Sequence, residues 1–251
     1  MHFRVLSGLG HVAQSRYMSD PHRLCEIRCP VHRFVTINNW EREIINQPAF
    51  QRLRRIRQLA WTDHAMNAQE RWLFRLAVLS ELVERAPGRL GRTAIMKLAY
   101  FLQAVKEVPL GYNFRLYAYG PYDSAVLTDL SQAEAMRAIK SKVVPNPSGY
   151  GYEFEPGPKA NEVKGLIKAG LTAHESAIRW VVSEFSSMSA SDLELVSTIL
   201  YADREAEQNG KTLKIDDLCL QVSQIKPRFA LAYIRSKVDL MMSRQLLRST
   251  T

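Results

Sequence analysis

Apolar positions recur with a helical period along most of the chain, and the stretch from Gly91 to Ile139 interrupts that period in a readable way. Its pattern predicts helix, short strand, tight turn and helix in succession. Ile95, Leu98, Ala99 and Leu102 fall at i, i+3, i+4 and i+7, the spacing of a helix with one buried face. Phe114 to Tyr119 is aromatic and apolar, which predicts a strand packed on both faces. Gly120-Pro121 breaks it. Asp123 or Ser124 stands where it caps the following helix, whose apolar set is Val126, Leu127, Leu130 and Ala133.

Upstream, residues 1–18 read as an arm. Ile27, Val31, Phe34, Val35 and Ile37 suggest a hairpin or edge strand, and helices are expected from Trp40 and from Pro48. Ala68–Arg85 reads as a long helix with Trp72, Leu76, Leu79 and Val83 inward and Phe74 and Leu82 beside them. Pro87-Gly88 ends it, residues 86–92 form a junction, and Thr93 is the expected cap of the next helix. Downstream, Val143-Val144 and Tyr150, Tyr152 and Phe154 flank a Pro-Ser-Gly turn, the pattern of a hairpin. A helix pair followed by such a hairpin is the outline of a winged helix. Helices are then expected from Pro158, over His174–Met188, from a Ser189 cap to Gly210, over Ile215–Gln224 and over Phe229–Leu247, the last with Tyr233, Val238, Leu240 and Met241 inward.

Composition narrows the class. At 251 residues, 46% hydrophobic and 24% charged, the chain is an ordinary globular sequence. No apolar run approaches the ~18 residues of a membrane span, and the N-terminus lacks the apolar core of a secretory signal. The expectation is a cytoplasmic protein away from membranes. The net charge of +9 is uneven, because residues 1–62 hold ten Arg and only four acids. Such a quarter attracts a phosphate backbone, a nucleotide or an acidic protein, or is a solvated Arg-rich helix.

Candidate chemistry is sparse. Cys25 and Cys29, with His22 and His32 nearby and Cys219 far off, suggest either an incomplete zinc site or half-buried thiols in a strand. No Gly-x-Ser-x-Gly elbow is present, and Glu153/Glu155 and Asp216/Asp217 read as surface acids. No catalytic residue, metal or cofactor is expected.

Two resemblances sharpen the picture. PVHRFVTINNWEREIINQPAFQRLRRIRQLAWT resembles the opening of HD-superfamily deoxynucleoside triphosphate triphosphohydrolases, which runs from a DP(V/I)HG strand through a short helix to PxFQRLRxIKQLG. The match covers about residues 28–62. Gln58 corresponds to the family's Gln that helps hold the nucleotide sugar. The family's metal histidines and His-Asp pair do not follow; Asp63-His64 is the reversed order. The resemblance therefore implies a truncated, inactive HD-like segment, with residual phosphohydrolase activity as a remote alternative. Arg52, Arg54, Arg55, Arg57 and Gln58 are its candidate partner- or phosphate-binding residues.

Residues 90–248 resemble YwgA-like proteins, relatives of the Panacea (SocA antitoxin-type) domain family. RTAIMKLAYFLQ, GYNFRLYAYGPYDSAVLTDL, the VVPNPSGYGYEFEPG hairpin and SDLELVSTILYADRE follow the family's order. Asp123 replaces the family's usual Ser. The resemblance implies a winged-helix-like domain that acts by binding, its partner a toxin or a phage-defence effector. Tyr119, Gly120, Pro121, Tyr122 and Asp123 form the candidate platform. Tyr117 and Tyr119 share a strand face and are expected to pack on a helix, leaving Tyr122 for contact. As an alternative, Arg92, Lys97, Arg115, Lys140 and Lys142 would flank a nucleic-acid groove. Self-association stays open. The expected whole is mainly α with small β: an arm (1–18), the HD-like segment (19–86) and the winged-helix-like domain (90–251).

Overall fold

In the structure, a computed structural model that describes residues 66–146 and 149–249, the first element is helix α1, Ala68–Arg85. The arm, the HD-like match, the Arg52–Gln58 set and Cys25 and Cys29 lie outside the described residues. Asn67 starts α1 with a capping box: its side chain accepts from the Glu70 N–H at 2.9 Å, and the Glu70 carboxylate accepts from the Asn67 N–H at 3.1 Å. Phe74 and every residue from Leu76 to Ser80 are buried, as are Leu82 and Val83. Such broad burial arises because α1 is packed against several later elements, introduced below. Trp72 is half-buried, its indole N–H donating to Gln132. The helix assigned above to the N-terminal segment thus lies in one hydrophobic cluster with the residues from 90 onward.

The junction at 86–92 contains strand β1 (Leu90–Gly91), which pairs antiparallel with Phe154 and Glu153. Gly91, extended by that pairing, is the N-cap of α2 (Arg92–Lys106), so Thr93 falls inside the helix and does not cap it. Strands β2 (Arg115–Tyr117) and β3 (Gly120–Tyr122) make a two-stranded antiparallel hairpin. The expected strand packed on both faces is corrected here. Arg115 and Tyr117 are exposed, and Gly120-Pro121 belongs to the return strand. Helix α3 (Ser124–Ala135) follows, capped by Asp123, with Val126, Asp129, Leu130 and Ala133 buried. Strands β4 (Ile139–Asn146) and β5 (Gly149–Pro156) form the expected hairpin and, with β1, a sheet of order β1-β5-β4.

Five helices complete the described residues: α4 (Ala160–Leu166), α5 (Lys168–Phe185), α6 (Ala190–Gln208), α7 (Ile215–Ile225) and α8 (Leu231–Ser243). The break between α4 and α5 is at Ile167, so His174 sits mid-helix, its ring 5.4 Å from that of Phe74. Ser189 caps α6, and Leu193 through Leu200 are all buried, polar residues included. In α8 the inward stripe is Ile234, Val238 and Met241, whereas Tyr233 faces outward and donates to Asp192.

Apolar residues from α1 through α8 make one continuous core, with Phe101 and Phe185 stacked 4.1 Å apart at its centre. Each fully buried Phe or Leu contributes roughly 1.5–3 kcal/mol. The described residues are thus mainly helical with two small antiparallel sheets. None of their helices is long and apolar enough to cross a membrane.

Candidate functional site

The β2–β3 hairpin turns through Ala118 and Tyr119, neither of which has a positive φ, and then Gly120 at φ +87°. That combination is a tight turn closed by a left-handed glycine. Gly120 is also where the hairpin meets α6. A Cβ there would stand 3.1 Å from both the Ser197 and Thr198 hydroxyls and 3.3 Å from the Glu194 carbonyl. The hydroxyls are themselves satisfied, each donating to Glu194 O.

Two buried lysines hold the turn from beneath. Lys97, from α2, donates to the Pro121 carbonyl at 2.6 Å. Lys226, just past α7, donates to the Ala118 carbonyl and to the Glu194 carboxylate, the latter at 2.8 Å. Arg228 reaches the other carboxylate oxygen at 2.7 Å. Glu194 is thus a buried acid shared by two cations, both of its oxygens occupied. Burial drives the Lys97 ammonium down to about 8; Glu194 opposes the shift and Lys226 adds to it. The backbone carbonyls of the turn therefore bond to ammonium groups held in a dry interior, where such bonds are strong.

The flanks are braced as well. Asp123 accepts from the Asn113 N–H at 2.6 Å and the Ala125 N–H at 2.9 Å. Behind it, Tyr112 and Arg75 both donate to Asp129, at 2.8 and 2.6 Å. Gln103 closes a two-way bond with the Tyr112 backbone.

On this rigid support sit aromatic side chains open to solvent. Tyr117 is 60% exposed and Tyr119 68%. The expectation that they pack on a helix is overturned, because the underside of the hairpin is presented by Gly120 and Pro121, which are buried. Tyr122 is half-buried and meets Tyr117 edge to face at 5.3 Å. Between the hairpin, the first turns of α2 and Leu127 of α3 lies a cleft of about 320 Å³ with mainly apolar walls. Arg92, Thr93, Met96 and Lys97 form its α2 side, and among the described residues no carboxylate, His or Cys lines it. Of the five platform residues, Tyr119, Gly120 and Tyr122 line the cleft, while Pro121 and Asp123 anchor the hairpin.

The nucleic-acid set does not assemble into one basic surface. Lys97 is inside, 2% exposed, and is removed from that set because its ammonium is committed to Pro121. Lys140 pairs with Glu155 at 2.9 Å, and Lys142 stands opposite Glu153 in the strand register. Arg89 approaches both glutamates. Arg92 lies over the Tyr152 ring at 3.6 Å, and Arg115 stands opposite Tyr122.

Among the described residues no three His, Cys, Asp or Glu side chains converge as metal ligands would. Cys219 is buried, and burial pushes its thiol up.

Sequence reading missed Lys226, Glu194 and Arg228. For Glu194 a signal was present: an acid inside LELVSTIL is out of place in a buried helix unless it is paired. Nothing local marks Lys226. No known protein family matches the chain, and no curated protein matches it.

Proposed function

We propose that this chain is a non-enzymatic, protein-binding regulatory module that docks its partner on the β2–β3 hairpin. The carrying observation is the exposure of Tyr117 and Tyr119 beside an apolar cleft, on a turn held by two buried lysines. Rigid aromatic side chains give contact area at little ordering cost, and exposed aromatic clusters mark interaction sites. The resemblance of residues 90–248 to YwgA-like and Panacea-type domains supports a winged-helix-like frame and a toxin or defence effector as the partner. In that frame β4–β5 takes the place of the wing.

The alternative, a nucleic-acid binder, is weakened at the wing, where Glu153 and Glu155 neutralise Lys140, Lys142 and Arg89. The basic quarter, residues 1–62, keeps that reading in play. Affinity capture of the full chain from its native host at rising salt separates the two. Capture of one stoichiometric protein that survives 0.5 M NaCl supports the proposal. A duplex-DNA shift that collapses steeply with salt, with no protein captured, overturns it.

A further inference from the structure

Resting on the docking reading above, we infer that the cleft beside the hairpin takes an acidic segment of the partner that inserts one apolar or aromatic side chain between Tyr119, Met96 and Leu127. Shape supports the anchor: the cleft is small, its walls are mainly apolar, and its floor is rigid. Such a cavity accepts a single bulky side chain rather than an extended surface.

Charge supports the acid. Among the described residues none that lines the cleft is acidic, and Arg92, which is exposed, stands at its α2 side. Among the described residues neither Arg92 nor Arg115 makes an ion pair. Arg115 shares the hairpin face with Tyr117 and Tyr122. The first turn of α2 adds to the same field: it contains no acid, its Gly91 cap supplies no side-chain acceptor, and Arg92 and Thr93 carry it to the cleft. Acids adjoining the hairpin and α2 are already committed: Glu194 to Lys226 and Arg228, Asp123 to two backbone N–H groups, and Glu153 to Arg89. An acidic residue beside the anchor therefore meets Arg92 and Arg115, neither ion-paired among the described residues, and no carboxylate among the described lining of the cleft.

A polynucleotide fits less well. It needs cations along a track, and the neighbouring wing surface alternates Lys140, Lys142 and Arg89 with Glu153 and Glu155.

The test uses the full chain and four fluorescent probes at 150 mM NaCl. These are a twelve-residue Asp/Glu-rich peptide with one central Trp, the same peptide with Asn/Gln for the acids, the same with Ala for Trp, and a dT12 strand. The acidic Trp peptide is expected to bind with a Kd of about 10–100 µM, and the other three at least ten-fold more weakly. Tyr119→Ala is expected to weaken the acidic peptide at least ten-fold. Arg92→Gln is expected to reduce it about three- to ten-fold while leaving the amide peptide unchanged. Both residues are exposed, so circular dichroism should stay that of the parent chain.

Equal binding of the amide peptide, or tighter binding of dT12, overturns the inference. So does failure of the acidic peptide to bind at all. If it fails while a Tyr117→Ala/Tyr119→Ala chain still loses its native partner, the docking reading stands and only the acidic anchor falls. If that double variant keeps its native partner, the docking reading falls too.

Discussion

Two hairpins in this protein both present exposed tyrosines, Tyr150 on one and Tyr117 and Tyr119 at the other, but use their cations to opposite ends. In β4–β5 the strands pair over eight positions and the cations are matched across them: Lys140 faces Glu155, Lys142 faces Glu153, and Arg89 reaches both acids. In β2–β3 the strands pair over three positions. Their stability comes from below, through Lys97 and Lys226, and the cations beside them meet no acid among the described residues. Charge matched within a surface leaves little for a partner to satisfy. Charge and aromatic area left unmatched on a braced turn are what a partner can use.

The largest expected contrast is between the two acids that serve these hairpins. Glu194→Ala leaves Lys226 buried without its carboxylate and should cost about 3–5 kcal/mol in urea denaturation. Glu155→Ala removes a solvent-facing partner of Lys140, a screened surface pair, and should shift the urea midpoint far less. Equal losses would mean that the Lys226–Glu194 pair is no more a support than a surface bridge.

The glycines of the two turns come next. Gly120→Ala combines a positive φ with contacts at 3.1 Å to Ser197 and Thr198, and should cost about 2–3 kcal/mol. Gly149→Ala, at the other turn, meets nothing within 4 Å and bears only the backbone strain of its positive φ, about 1 kcal/mol. Comparable midpoints for the two variants would contradict the close seat of the hairpin on α6.

A smaller effect concerns pH. Lys97 titrates near 8 in the folded chain, below the 10.5 of an unburied lysine, so between those values the unfolded chain binds more protons. Stability therefore rises as pH increases through that window, by about 1 kcal/mol between pH 7.5 and 9. Lys97→Met should abolish that rise. Above about pH 10 the gain reverses, because burial raises the phenols of Tyr100 and Tyr112 while those of the unfolded chain ionise. A slope unchanged in Lys97→Met would show that another group controls it.

The smallest effect is expected for Lys140→Ala/Lys142→Ala, within about 0.5 kcal/mol of the parent, since both residues are exposed.

What could be read in advance follows from how local each cause is. Helix α1 was legible to the residue, because its apolar spacing and the Pro87-Gly88 stop are local. The β4–β5 hairpin was legible from alternation around its turn. The β2–β3 hairpin was misread. Five aromatic and apolar residues around Arg115 look like a buried strand, yet burial there is decided by Gly120 meeting α6 more than seventy positions away. For the same reason Lys97 looked like a surface base: nothing beside it in sequence announces that Pro121 O will take its ammonium. Tyr122 is legible as a contact residue from its place on the YGPYD turn, whereas Tyr119 reads as packed on a helix, and the cleft they share is not foreseeable without α2 and α3 in place.

The most direct measurement is a paired capture of the native partner, at one salt concentration, by two double variants of equal stability. Tyr117→Ala/Tyr119→Ala is expected to lose at least ninety per cent of the partner, about the ten-fold loss of a hot-spot pair, while Lys140→Ala/Lys142→Ala keeps it. Retention by the tyrosine variant, or loss by the lysine variant alone, would contradict the account and move the interface to the other hairpin.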